Sequence, residues 1–125
     1  MTQAQWIRFF EALEKISPRE ALIAKVLLQG GKRVNKVLSL QVSQIDGERR
    51  KVTFTQSKTN GLKKETTITY SESIIIKLRD YIETRTGYVF ITRFGKPFRL
   101  NRLTVTFANA GLKAGLPFKI TPHAL

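Results

Sequence analysis

The 125 residues suffice for one domain with a buried core, and a hydrophobic content of 42% is typical of a globular protein. Lysine and arginine total 22 against 9 aspartates and glutamates, so the net charge is +13 and the expected partner is a polyanion. Cysteine is absent and histidine occurs once, which excludes disulfides, thiol catalysis, cysteine-ligated zinc and a histidine metal cluster.

The positive charge is concentrated toward the C-terminal end. The last acidic residue is Glu83, and seven lysines and arginines follow Thr84. They are spread among turns and helix starts, which favours nucleic acid over a membrane surface as the partner. No apolar run is long enough to span a bilayer, and residues 1–15 lack the pattern of a signal peptide. We therefore predict a cytoplasmic protein with no membrane association.

Two helices are predicted before residue 31. Thr2 and Gln5 have the spacing of a capping box, and apolar residues then recur at helical intervals. These residues are Trp6, Phe9, Phe10, Leu13 and Ile16. Ser17 and Pro18 begin a second helix, which is apolar nearly all round over residues 21–28. The second helix should be the buried centre of the fold.

The stretch Gly30–Leu40 is predicted to end this buried helix and to begin a short basic helix over residues 33–38. Two glycines permit a sharp helix end. Arg33 would stand in the first turn of the next helix, where free N–H groups and the helix dipole favour an anion. A guanidinium held there can bind two phosphate oxygens. A solvated arginine after a helix end is the alternative at this position.

The middle of the chain has the alternation of β-strands. Strands are predicted around Val42–Ile45, Lys51–Thr55 and Thr66–Tyr70, with Asn60-Gly61 favouring a tight hairpin. Lys58 lies at the mouth of that hairpin. A helix from Ser71 or Ser73 to near Gly87 follows.

The last part of the chain predicts a short apolar segment over residues 88–91, the turn Gly95-Lys96-Pro97 and a helix from about Asn101 to Gly115. Thr121-Pro122 then has the pattern of another helix start, from which we expect the chain to be a fragment cut inside that element. The predicted fold class is α+β, mainly helical, with a small antiparallel β-sheet.

In this order, the motifs resemble those of the tyrosine recombinase catalytic domain, the phage integrase family. Gly31–Leu40 is similar to the family motif Gly-x-Arg-hydrophobic-x-Glu-hydrophobic-Leu-x-Leu, and Gln56–Gly61 to the hairpin motif Thr-Lys-Thr-x-Gly. Gly95–Pro97 is similar to its Gly-x-Pro loop, and Thr121–Leu125 to the start of its Pro-His-x-Leu-Arg-His box. The resemblance covers almost the whole chain. It implies that residues 1–125 are the amino-terminal portion of an integrase-like catalytic domain.

The resemblance implies DNA strand exchange by transesterification. A tyrosine attacks phosphorus, a 3′-phosphotyrosine forms and the 5′-hydroxyl leaves, with no metal or other cofactor. It assigns Arg33 to the phosphate oxygens, Lys58 to protonation of the leaving oxygen, and His123 to the incoming tyrosine or the phosphate. The second arginine, the second His or Trp and the nucleophile would lie beyond Leu125. We therefore expect the fragment to bind DNA without cleaving it, and the full-length protein to act as a homo-oligomer on double-stranded DNA.

Six further basic residues are predicted to contact backbone phosphates, which sets affinity with little sequence discrimination. They are Lys32, Lys36, Lys63, Lys64, Arg99 and Arg102. The alternative for each of them is a solvated charge on the protein surface. The alternative for Lys58 is a lysine that only keeps the edge of the sheet soluble, and the alternative for His123 is an ordinary residue at a helix start.

Two other functions remain open at this point. Lys36 stands where the family usually has an acidic residue three places after the arginine, which motivates a noncatalytic integrase-like DNA-binding or regulatory protein. A small basic RNA-binding protein is a more distant alternative that rests on charge alone. Tyr70, Tyr81 and Tyr88 precede the histidine motif and are interpreted as strand and core residues, not as the nucleophile.

Overall fold

A computed structural model describes residues 1–57, 61 and 63–124. The helices are α1 (Gln3–Ile16), α2 (Pro18–Gly30), α3 (Val34–Leu38), α4 (Glu72–Ile82) and α5 (Leu100–Lys113). The strands are β1 (Ile45–Asp46), β2 (Lys51–Ser57) and β3 (Lys63–Thr69), and 3₁₀ turns occupy Val42–Gln44 and Pro122–Ala124. The predicted α+β class, mainly helical with a small antiparallel sheet, is confirmed.

The three strands form an antiparallel sheet in the order β1-β2-β3. Val52 pairs with Ile45 on one side and Ile68 on the other, and Phe54 pairs with Thr66. Val52 and Phe54 are buried, so alternate residues of β2 face the core. Residues 58–60, which include the predicted catalytic Lys58, lie outside the described residues.

The first two helices begin as the sequence predicts. Thr2 Oγ1 accepts a hydrogen bond from the Gln5 backbone N–H at 3.1 Å, and Gln5 Oε1 accepts one from the Thr2 N–H at 2.9 Å. Ser17 caps α2 by accepting from the Glu20 N–H at 3.2 Å, with Pro18 at the first helical position. These caps satisfy N–H groups that have no partner inside the helix.

The core lies between α1, α2, α4 and α5 and under the sheet. Phe9 and Leu13 of α1 are buried, and Trp6, Phe10 and Ile16 are partly buried against the core. The rings of Phe9 and Phe107 meet edge to face with centroids 5.6 Å apart, which joins α1 to α5. Helix α2 is buried along most of its length, as predicted.

Three element boundaries differ from the prediction. Val42–Gln44 is a 3₁₀ turn instead of a strand, because the Gln44 side chain accepts a hydrogen bond from the Gln41 N–H at 2.7 Å and closes the turn. Helix α4 ends at Ile82 instead of near Gly87, since Glu83 adopts φ 56° and breaks the helix. Arg33 caps α3 from extended backbone and is not inside its first turn.

Within the described ranges 1–57, 61 and 63–124, no helix is both long and apolar enough to cross a membrane. The same part of the chain contains no group of three histidine, aspartate or glutamate side chains that could hold a metal ion.

Candidate nucleic-acid interface

Arg33 is held between two buried helices. Helix α2 ends at Gly30 and is capped by Gly31, which has the left-handed φ of 61° and donates its N–H to the Leu27 carbonyl at 3.1 Å. Two residues later, the Arg33 carbonyl accepts from the Lys36 N–H at 3.0 Å and so begins α3. The adjacent Val34 is buried. The backbone of Arg33 is therefore fixed by the core.

The side chain of Arg33 is exposed and makes no capping hydrogen bond. The ion pairs found among the described residues do not include Arg33. A guanidinium on fixed backbone with donors facing solvent is suited to bind an anion, because only the conformational freedom of the side chain is lost on binding. This geometry supports the predicted phosphate contact, which stays a prediction.

Lys36 occupies a different kind of position. It is partly buried, and its Nζ donates to the Thr55 carbonyl of β2 at 3.5 Å. The cation in the family's acidic position therefore connects α3 to the strand that leads toward Lys58. Lys32, next to Arg33, is also partly buried.

His123 lies in the C-terminal 3₁₀ turn and is exposed, whereas Pro122 before it is buried. The turn is held against α5, where Ile120 lies so close to Gly111 that a Cβ at residue 111 would be 3.3 Å from Ile120 Cγ1. Helix α5 contacts α3 as well as this turn. Arg33 directly precedes α3 and His123 lies in the C-terminal turn, and both of these elements pack on α5. That they meet Lys58 around a single phosphate is a prediction.

A basic cleft of about 940 Å³ opens between the start of α2, the 92–98 loop and the start of α5. Two of the predicted phosphate contacts, Arg99 and Arg102, are exposed at this cleft. The other basic residues lining it are Arg19, Arg93 and Lys96. Arg19 is about 80 residues away from Arg99 and Arg102 in the chain, so no local pattern in the sequence groups it with them. The turn Gly95-Lys96-Pro97 is the local feature of the sequence at this cleft.

The side chains of two arginines at the cleft contact residues in or next to the 92–98 loop. Arg19 Nη1 donates to the Ile91 carbonyl at 2.6 Å, and its guanidinium lies over the Phe98 ring, 5.7 Å from the centroid. The Arg93 guanidinium lies 4.9 Å from the centroid of Phe94. Arg19 therefore holds the 92–98 loop in place.

Among the described residues that line this cleft, Glu20 is the one acidic residue. It is 3% exposed, and its Oε1 atom has no hydrogen-bond partner among the described residues. A buried carboxylate oxygen without a hydrogen-bond partner is costly, and the carboxylate opposes the positive potential of the surrounding arginines.

The remaining predicted contacts, Lys63 and Lys64, lie on β3 next to the hairpin tip. Lys63 pairs with Ser57 and Lys64 with Gln56 in the antiparallel ladder. Lys64 is exposed. Both lysines follow the segment that contains Lys58.

The hydroxyls of two tyrosines are already engaged. Tyr70 is 1% exposed and its hydroxyl donates to the Val26 carbonyl at 3.0 Å. Burial raises the pKa of Tyr70 to about 12. The Tyr81 hydroxyl accepts from the Ile91 N–H at 3.3 Å and donates to the Ile91 carbonyl at 3.4 Å. These contacts are typical of structural tyrosines.

A family model described as "Phage integrase family" matches residues 1–125. The virulence plasmid integrase pGP8-D of Chlamydia muridarum (strain MoPn / Nigg) is 45% identical over 125 residues, which are all of this chain and 38% of the relative. The fold is similar to the crystal structure of XerA recombinase, with TM-score 0.80, 23% identity, and coverage of 98% of this chain and 46% of that one. It is also similar to a lambda integrase tetramer bound to a Holliday junction, with TM-score 0.70, 18% identity, and coverage of 95% and 35%. The chain thus spans less than half of the length of each of these proteins.

Proposed function

Because this chain belongs to the phage integrase family, we propose that it forms part of a catalytic domain that cleaves and rejoins double-stranded DNA. The reaction is site-specific recombination or integration through a 3′-phosphotyrosine intermediate. The nucleophile in this proposal is a tyrosine other than Tyr70, Tyr81 and Tyr88. By itself the chain binds duplex DNA and does not cleave it.

The observation that carries the proposal is the placement of Arg33. Its backbone is fixed between α2 and α3 while its guanidinium is exposed. In the pentavalent transition state, charge gathers on the non-bridging phosphate oxygens, and a preorganised guanidinium stabilises that charge without reorganising. Arg33 is therefore assigned to those oxygens.

Lys58 and His123 are assigned to proton transfer. The family resemblance supports Lys58 as the hairpin lysine, whose ammonium donates a proton to the leaving 5′-oxygen in this proposal. His123 lies exposed in the 3₁₀ turn against α5 and either accepts the proton of the attacking tyrosine or hydrogen-bonds the phosphate. No metal or other cofactor takes part in the proposed reaction.

The surrounding basic residues are assigned to the DNA backbone. Arg99 and Arg102 at the basic cleft, Lys32 and Lys36 near Arg33, and Lys63 and Lys64 on β3 supply cations on three parts of the fold. The lambda integrase tetramer with a similar fold is bound to a DNA junction. By analogy, the full-length protein is proposed to assemble as a homo-oligomer on its DNA.

The DNA affinity of the chain should fall steeply with salt, because each phosphate contact releases counterions. Between 50 and 200 mM salt we expect a loss of at least about tenfold, which corresponds to about two phosphate contacts. Fluorescence anisotropy with a labelled duplex measures it, and Arg102→Ala should make the dependence shallower. A flat response to salt would contradict the phosphate contacts and, with them, the DNA-binding proposal.

Replacing Glu20 by glutamine should strengthen DNA binding about threefold, because a buried negative charge is removed from among the arginines of the cleft. Glu14→Gln is the matched control. It changes the net charge equally, but Glu14 is half exposed and bonded to Lys25 at 2.8 Å, away from the cleft. Titration with the same duplex compares the two variants. Equal effects would show that net charge, and not the cleft, sets the affinity.

A noncatalytic DNA-binding protein is the second candidate, and Lys36 is the observation that favours it. A carboxylate at this position would support the Arg33 guanidinium, whereas the Lys36 ammonium donates to the β2 backbone. Lys36→Glu separates the two functions. The substitution is made in a protein that contains this chain and the nucleophilic tyrosine. If that protein is an active recombinase, the variant should retain or gain covalent attachment to DNA. If the scaffold is noncatalytic, neither form should attach.

A further inference from the structure

The backbone conformation at position 30 does not require a glycine. Gly30 is the last residue of α2 and does not have a positive φ, unlike Gly31 after it. A glycine inside a helix costs about 1 kcal/mol relative to alanine. Some other contact must therefore require the absence of a side chain.

That contact is the hydroxyl of Tyr70. A Cβ added at Gly30 would overlap the Tyr70 hydroxyl and would lie 3.1 Å from its Cζ. The hydroxyl enters this space to donate to the Val26 carbonyl near the C-terminal end of α2, at 3.0 Å. Gly30 and Tyr70 are thus a matched pair, forty residues apart in the chain.

Two neighbouring contacts tie the same regions together. Ile68 Cδ1 of β3 lies 3.7 Å from the position of a Cβ at Gly30. The Gln29 side chain accepts a hydrogen bond from the Ser71 N–H at 3.3 Å. The end of β3 and the two residues that follow it therefore contact the C-terminal end of α2.

We propose that Tyr70 is a positioning residue for Arg33. Its hydroxyl bonds the C-terminal part of α2, which leads through Gly31 and Lys32 directly to Arg33, and Tyr70 itself directly follows β3. The pair thereby fixes the end of α2, and with it the backbone from which Arg33 extends, relative to β3. This inference rests on the proposed function, in which Arg33 binds a DNA phosphate.

A double-mutant cycle on DNA affinity tests the proposal with the chain itself. Tyr70→Phe removes only the hydroxyl and should weaken binding to a labelled duplex about threefold. In an Arg33→Ala background the same substitution should have no further effect, because the guanidinium that it positions is gone. Tyr88→Phe is the matched control. It also removes a tyrosine hydroxyl, but Tyr88 is 40% exposed and lies outside the basic cleft, so this variant should leave the affinity unchanged.

The other outcomes overturn the inference in distinguishable ways. An equal loss from Tyr70→Phe in both backgrounds would show a general structural role. No loss in either background, with Arg33→Ala still weakened, would remove Tyr70 alone and leave the proposed function intact. An Arg33→Ala variant that binds DNA like the parent would remove the phosphate contact and the inference together.

Thermal unfolding checks the pairing itself. Gly30→Ala should lower the melting temperature because its Cβ meets the Tyr70 hydroxyl, and adding Tyr70→Phe should recover part of that loss. A double variant that melts no higher than Gly30→Ala alone would contradict the match between the two residues.

Discussion

Arg33→Ala will abolish covalent attachment to a nicked DNA substrate in a protein that carries this chain together with its nucleophilic tyrosine. Removing one preorganised donor from a developing oxyanion typically costs about 100- to 1000-fold in rate. The loss should be at the upper end here, because a guanidinium supplies two donors and a full charge. Gel detection of the covalent protein–DNA product measures it.

Two further variants are compared with Arg33→Ala. Lys58→Ala should slow cleavage but spare DNA binding, since a proton donor acts on the leaving oxygen and not on affinity. Arg49→Ala removes a guanidinium that is 78% exposed and paired with Asp46 at 3.8 Å, and it should leave attachment unchanged. Undiminished attachment by the Arg33 variant would remove this residue from the active site.

Phe107→Ala should lower the free energy of unfolding by about 3–5 kcal/mol, the usual cost of emptying a buried phenylalanine site. Phe107 is 0% exposed, and its ring packs edge to face on Phe9. Its loss would leave a cavity between α1 and α5, the helix on which both α3 and the His123 turn pack. Urea unfolding followed by circular dichroism measures the change.

Phe94→Ala is the matched control for this prediction. The substitution is chemically identical, but Phe94 is 76% exposed in the 92–98 loop. Its effect should stay within about 0.5 kcal/mol. Similar losses from both variants would contradict the position of the core between α1 and α5.

The elements that the sequence predicted correctly depend on neighbouring residues. The Thr2–Gln5 capping box, Ser17-Pro18 at the start of α2 and the alternation in β2 are all local patterns, and each is present in the fold. Apart from the 3₁₀ turn at Val42–Gln44, the type and order of the main helices and strands could therefore be predicted. The motif around Arg33 was equally recognisable, because its residues are contiguous.

The features that the sequence did not predict depend on contacts between distant residues. Arg19 joins the basic cleft because its guanidinium reaches Ile91, 72 residues away. Gly30 makes room for a hydroxyl that arrives from Tyr70. Glu83 ends α4 with a positive φ, although neither glycine nor proline occurs at this position to indicate a helix end. No periodicity along the chain encodes such tertiary contacts.

A crystal structure of the protein bound to duplex DNA would test the proposed active site most directly. We expect the Arg33 guanidinium to lie within hydrogen-bonding distance of the non-bridging oxygens of one phosphate, with Lys58 and His123 at the same phosphorus atom. Arg33, Lys58 and His123 facing three separate surfaces, or DNA lying on a face of the protein away from Arg33, would contradict it.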